Sequence, residues 1–483
     1  MNNIMILIPL VIYLAVMLFI AYKTNEIKHS GEVNFIEEYF IGSRNMGGFV
    51  LAMTLIATYA SASSFVGGPG VAYKLGLGWV LLACIQTPTA FLTLGILGKK
   101  FAIISRKIGA VTITDYLRAR YKSDTVVILS SIAVLVFFAA SIIAQFIGGA
   151  RLFETVTGLS YHTGLLLFGV VVIIYTTLGG FRAVALTDAI QGIMMMVATT
   201  FLFFAILKNG GGMENIMQGL MKTNPDLLTP TSGGAIAKPF ILSFWMLVGV
   251  AVLGLPQTTI RCMGFRDSKS MHRAMIVGTF VVGFLMIGMH LIGVMGAAVA
   301  PGIDVGDKII PTLALRNMPP ILAGVFIGGP LAATMSTVDS MLILSSAAIV
   351  KDLYIHYINK DADDKKIKKL TLFTSLTVGI IVFMLSMNPP KLLVWINLFA
   401  FGGLEAAFLC PIVLGLYWKK ANATGAIASM LTGVGSYFYF TISKIKPMGM
   451  HQIVPVIFIS LMAFTIGSLI GKKPEEEVLE IFF

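Results

Sequence analysis

Thirteen apolar stretches, each long enough to cross a bilayer as a helix, follow one another with mostly short polar connections. A hydrocarbon core of about 30 Å needs roughly 20 helical residues. The stretches lie at 4–21, 47–66, 77–98, 126–148, 163–180, 189–207, 239–260, 274–299, 320–349, 370–388, 392–418, 423–442 and 453–471. Lipid offers the backbone no hydrogen-bond partner, so such runs must satisfy themselves as helices. Composition agrees. Charged residues make 12% of the chain and hydrophobic ones 57%, whereas soluble domains hold about 25% charged residues. The expected class is an all-α integral membrane protein with 13 transmembrane helices in a single transporter-like domain, 1–483. The first stretch follows an uncharged Met1-Asn2-Asn3 and precedes no small-residue cleavage site, so it is read as a helix and not a signal peptide.

Several function classes are excluded. Cys84, Cys262 and Cys410 are far apart and form no CxxC pattern, so neither a disulfide framework nor a zinc site is expected. The net charge of +12 is not gathered into a basic domain, which argues against nucleic acid. Gly95 to Lys100 lacks the spacing of a phosphate-binding loop, and no HExxH is present. No enzyme activity is expected, and uphill work would have to come from an ion gradient.

The basic residues instead report topology. Of the 35 Lys/Arg, 25 lie in the odd-numbered connections and the C-terminal tail. Lysine and arginine accumulate in cytoplasmic loops, so the N-terminus is expected outside and the C-terminus in the cytoplasm of a multi-pass cell (inner) membrane protein. The polar stretch from Lys208 to Lys238 then reads as an external loop, and the charged tail from Lys472 as mobile.

Two spans carry helix breakers. Ser61 to Gly70 reads SASSFVGGPG, and Gly254 to Thr259 reads GLPQTT. Pro256 removes a backbone donor. The breaks are five spans apart, an odd offset that predicts two inverted repeats, about 47–207 and 239–418, with a midplane binding site between them. Helices 4–21, 423–442 and 453–471 would be peripheral. In span nine, Ser336 and Thr337 offer adjacent hydroxyls, with the carbonyl of Ala333 three residues earlier. They serve either a hard cation or hydrogen bonds to the preceding turn and a neighbouring helix. Glu405 is an acid at membrane depth and so a functional candidate by default: a gate, a proton site or a packing anchor. His290 reads as a satisfied buried histidine.

Seven segments carry a family resemblance: EYFIGSRNMGG (from Glu38), SASSFVGGPG, GLGWVLLA (from Gly76), QFIGGARL (from Gln145), TLGGFRAVALTD (from Thr177), AATMST (from Ala332) and GLYWKKANATGAIASMLTG (from Gly415). Together they resemble the sodium:solute symporter family. The resemblance implies a LeuT-like 5+5 inverted-repeat core with one extra N-terminal and two extra C-terminal helices. It implies Na⁺ as coupling ion, held by the carbonyls of Ala57, Ala60 and Ala333 and the hydroxyls of Ser336 and Thr337. Asp188 falls where the family has an acid linked to sodium use, although a solvated salt bridge would serve as well there. Asp339 either raises cation affinity or faces a wet cavity.

The first three segments resemble the branch that handles pantothenate, a small carboxylate with hydroxyl and amide groups. Such a solute wants donors around its carboxylate and acceptors around its hydroxyls. Ser61, Ser63, Ser64, Gln257 and Thr258 on the broken helices are the expected contacts, with Gln86 and Asn397 as further candidates. Arg261 reads as an anchor for the cytoplasmic end of its helix. The expected function is sodium-coupled import by alternating access, with the lipid bilayer as surroundings and no obligatory protein partner. Another small carboxylate or an amino acid such as proline is the alternative solute; a passive channel or a membrane sensor is the alternative of another class.

Overall fold

The computed structural model describes residues 2–26, 44 and 46–483. The EYFIGS part of the first motif (38–43) lies outside the described residues, as do the side chains of 178–183 and 185. The first half of the chain forms α1 (Asn2–Glu26), α2 (Gly48–Tyr59), α3 (Ser63–Leu75), α4 (Leu77–Lys107), α5 (Ile113–Tyr121), α6 (Asp124–Thr157), α7 (Tyr161–Thr177), α8 (Leu186–Asn209) and α9 (Met213–Thr223). The second half forms α10 (Lys238–Gly254), α11 (Pro256–Met263), α12 (Ser268–Val299), α13 (Ile309–Asn317), α14 (Pro320–Ile358), α15 (Asp364–Leu385), α16 (Val394–Tyr417), α17 (Ala423–Ser443), α18 (Ile453–Ile470) and α19 (Glu476–Phe482). Among the described residues no strand forms; Met46 and Phe265 share one parallel bridge.

Eight of the described helices are long and apolar enough to cross a bilayer, or ten if each of two bent pairs is one span. Ile4–Ile20 and Tyr161–Thr177 are shorter apolar helices. Although α17 covers 21 residues, Gly, Ser and Thr dilute it. The bent pairs are the two interrupted spans: α2 meets α3 at 68°, and α10 meets α11 at 50°.

Helical backbone is continuous from Tyr161 to Asn209. Twelve residues of straight helix would separate Tyr175 from Thr187 by about 18 Å, yet their hydroxyls lie 2.9 Å apart. The chain therefore doubles back between α7 and α8.

Burial ranks the helices. The most apolar stretches of α14 and α16 are 83% and 78% buried, against 33% for α15 and α18, so α14 and α16 are central and the other two face lipid. Small residues permit the close packing of α14: a Cβ added at Gly328 would come within 3.0 Å of Met194 on α8.

Two polar segments are more ordered than their composition suggests. The external-loop stretch contains α9, whose Ile216 and Leu220 are buried. The tail expected to be mobile forms α19 and docks. Lys122 pairs with Glu475 at 2.7 Å and Glu477 at 2.6 Å. Phe482 is buried, with its ring 5.6 Å from that of Tyr116 and the Arg120 guanidinium over it at 5.5 Å. Counting charges along the tail misses this aromatic anchor.

The turn between α12 and α13 holds a buried carboxyl. One oxygen of Asp307 accepts the Leu393 N–H at 3.0 Å, while the other has no partner. Burial pushes its pKa up to about 7, against the opposing pull of the Leu393 N–H. A value raised on folding favours the folded state when protonated, so this stability is greatest at low pH and lost as pH rises through about 7. Asp307→Asn should therefore flatten the fall in thermal midpoint between about pH 5 and pH 8 by a few degrees, read by fluorimetric unfolding in detergent.

Candidate functional site

The break between α2 and α3 frees backbone oxygens. Ala60, past the last turn of α2, is extended (φ −70°, ψ 126°). The Ser61 N–H, which would have closed the turn on Ala57, faces Ser64 Oγ at 3.4 Å instead. The helix resumes as a π turn over Ser63–Gly67. Side chains answer its first donors: the Ala62 N–H gives to Gln145 Oε1 at 2.7 Å, and the Ser63 N–H to Ser61 Oγ at 3.2 Å.

The freed carbonyls face α14. Ser336 Oγ donates to Ala57 O at 2.8 Å and to Ala333 O at 3.1 Å. Thr337 Oγ1 donates to Ala60 O at 3.1 Å and to Ala333 O at 3.0 Å. Three carbonyls and two hydroxyls thus meet in one buried cluster, and these are the five groups named for sodium. The donor set fits a hard monovalent cation, since every atom is oxygen and the hydroxyls can rotate their lone pairs inward. Among the described residues no group of three His, Cys, Asp or Glu side chains could hold a metal, so a transition metal has no comparable place.

On the other side of the same break lies a narrow, partly open cavity. Ser61, Ser63, Ser64, Gln86 and Asn397 line it, together with Tyr59, Trp79, Phe244, Phe401 and His290. Five of the seven expected solute contacts are therefore brought together. Gln257 and Thr258 lie outside this lining: Thr258 Oγ1 turns back to Leu255 O at 2.9 Å, and neither polar atom of the Gln257 side chain has a hydrogen-bond partner.

Asn397 is oriented by its neighbours. Its Oδ1 accepts from Ser141 Oγ at 2.6 Å and from Gln145 Nε2 at 3.3 Å, which leaves the amide N–H groups as its free donors. His290 shares a hydrogen bond with Met286 O through Nδ1 at 2.6 Å, and its Nε2 abuts Gly68, where a side chain would collide with it. With Nδ1–H donating, Nε2 is an acceptor at the cavity wall. Sequence reasoning treated His290 as a core residue, and the spacing around it carried no signal of a place on the cavity wall. The aromatic lining likewise had none beyond generic apolarity.

Beneath the ion cluster runs a buried polar chain. Arg261 Nη2 donates to Thr58 Oγ1 and Ser340 Oγ, both at 2.7 Å, and lies 3.7 Å from Asp188 Oδ2. Thr54 Oγ1 donates to the same carboxylate oxygen at 2.5 Å. Asp339 accepts from the Tyr175 hydroxyl and from Thr176 Oγ1 at 2.7 Å. Arg261 therefore ties α11 to α2, α8 and α14, a wider reach than anchoring its own helix. Asp188 is fully buried in this pair rather than solvated, and Asp339 is bound by hydroxyls rather than facing a wet cavity. Glu405 is buried with neither oxygen hydrogen-bonded.

Comparison with known proteins follows this geometry. The chain is 50% identical over 479 residues to the sodium/pantothenate symporter of Haemophilus influenzae, covering 98% of each chain. It is 48% identical over 478 residues to that of Escherichia coli, again covering 98% of each. A Na⁺-coupled sialic acid symporter, solved substrate-bound and outward-open, shares the fold with a TM-score of 0.79 at 20% identity, over 98% of both chains. The sodium:solute symporter family model matches residues 39–433. A transporter and not an enzyme, this chain belongs to the sodium:solute symporter family.

Proposed function

We propose that this protein imports pantothenate by sodium symport through alternating access. The observation that carries the reading is the double use of one helix break. Its carbonyls meet the hydroxyls of Ser336 and Thr337 on one side, and its serines line the solute cavity on the other. The high identity to sodium/pantothenate symporters over nearly full length supports the choice of solute. Neither a passive channel nor a sensor needs an ion cluster sharing backbone with a solute cavity.

In this reading the thirteen spans form a LeuT-like core of repeats 47–207 and 239–418, with 4–21, 423–442 and 453–471 outside it. The N-terminus is external and the C-terminus cytoplasmic, as the lysine and arginine distribution supports. Bound sodium would draw the hydroxyls of Ser336 and Thr337 off their carbonyl partners and fix the angle between α2 and α14. That angle sets the wall formed by Ser61, Ser63 and Ser64. The amide donors of Asn397 suit the carboxylate, and the Nε2 acceptor of His290 suits a hydroxyl.

Proline is the competing solute, because the cavity wall carries no lysine or arginine and suits a zwitterion as well. Competition by unlabelled proline against labelled pantothenate, in proteoliposomes with sodium added outside, decides between them.

Ser336→Ala and Thr337→Ala should each raise the sodium concentration for half-maximal pantothenate uptake by roughly tenfold, equivalent to about 1.4 kcal/mol. Solute preference should not change. If both retain a wild-type sodium response, the ion cluster is misassigned. Asn397→Asp places a carboxylate where the amide donors stood and should cost at least about tenfold in pantothenate KM, with sodium half-saturation little altered; an unchanged KM would remove Asn397 from the solute site.

A further inference from the structure

Among the described residues, Glu405 alone has a buried carboxyl group with no hydrogen bond on either oxygen. Its position on α16 gives this meaning. Asn397 and Phe401 line the solute cavity, and Glu405 follows them by eight and four residues on the same helical face. It therefore sits about 12 Å beyond Asn397 and 6 Å beyond Phe401 along the helix. Leu409 continues the stripe, and its backbone nitrogen lies 2.8 Å from where Gly254, at the break after α10, would carry a Cβ. Glu405 thus lies along α16 between the residues that line the cavity and the one that packs on the break at Gly254.

The ionisable groups facing it are the phenols of Tyr59 on α2 and Tyr437 on α17. Among the described residues neither oxygen of Glu405 meets a hydrogen-bond donor. An ionised carboxylate without hydrogen bonds is costly in such surroundings, and the neutral acid is not.

We infer that Glu405 is a proton-carrying site, making the transporter take up one proton with each sodium and solute. This rests on the symport reading above. With the cavity open outward, an O–H bond forms on Glu405 with a proton from external water. When the face between α10 and α16 opens to the cytoplasm, that bond breaks and the proton passes to cytoplasmic water. The carboxylate left behind repels the departing anion. On the return, donation from the Tyr59 hydroxyl, which here is shared between Gln86 Oε1 and Val248 O at 3.1 Å each, would stabilise the carboxylate.

The test is proton movement in proteoliposomes holding a pH-sensitive dye, with sodium-driven pantothenate uptake measured in parallel. Wild-type protein should acidify the lumen by one proton per pantothenate. Glu405→Gln should lose that ratio whatever its residual uptake rate, whereas Glu405→Asp should keep it. Sodium-driven pantothenate uptake without proton movement overturns the inference, as does a Gln variant with the wild-type ratio. Vesicles that take up no pantothenate overturn the solute assignment instead, and proton movement with proline then decides Glu405.

Discussion

The structure depends on how the backbone groups freed between Tyr59 and Ser63 are satisfied. Each unsatisfied group in hydrocarbon costs several kcal/mol, so the break persists only because partners converge on it. Gln145 answers the Ala62 N–H, and the hydroxyls of Ser61 and Ser64 answer the neighbouring donors. On the acceptor side, Ser336 and Thr337 answer Ala57 and Ala60. The hydroxyls thereby act as internal substitutes for an ion. Cation affinity becomes a difference, since ion–oxygen attraction must exceed the hydrogen bonds that it displaces. Without an ion, these hydroxyls leave neither carbonyl bare in the membrane.

Below the ion cluster, the Arg261 network joins the same helices by stronger but costlier means. A buried ion pair gains little net stability, because removing both charges from water offsets their attraction, yet losing one partner costs about 3–5 kcal/mol. Such pairs specify an arrangement rather than stabilise it. Here the arrangement is α11 held against α2, α8 and α14, with Ser340 one helical turn past Ser336. Separating those helices breaks the bonds of Arg261 to Thr58, Ser340 and Asp188 together.

Much of this was legible in the sequence. Apolar run length gave the all-helical class, with eight to ten of the thirteen expected spans long and apolar enough among the described residues, and Gly–Pro clusters gave both breaks. The oxygen set around Ser336 was legible only with the family motif, since adjacent Ser and Thr in a helix usually bond to their own preceding turn; in this structure both hydroxyls do that as well as cross to α2. Side-chain reach was not legible. Arg261 looked like a terminal anchor because spacing along a helix does not reveal which neighbours cross it. Thr258 looked available for solute, but a hydroxyl two residues after a proline N-terminus is claimed by the first turn. The docking of α19 escaped for a similar reason: its aromatic contacts are made with residues more than 350 positions away.

Energetics give Glu405 its weight. One Na⁺ with one monovalent anion moves no net charge, so the membrane potential contributes nothing to accumulation. A tenfold sodium gradient then supplies about 1.4 kcal/mol, enough for about tenfold concentration. Adding one proton makes each cycle carry a positive charge, and about 100 mV adds roughly 2.3 kcal/mol, raising the limit by more than another factor of ten. A second sodium would achieve the same. The other acids at that depth, Asp188 and Asp339, already hold hydrogen bonds or an ion pair. An acid kept without partners in the centre of a membrane helix is costly to retain unless its proton is used. Its place one turn past the solute cavity puts that proton on the route the solute must take.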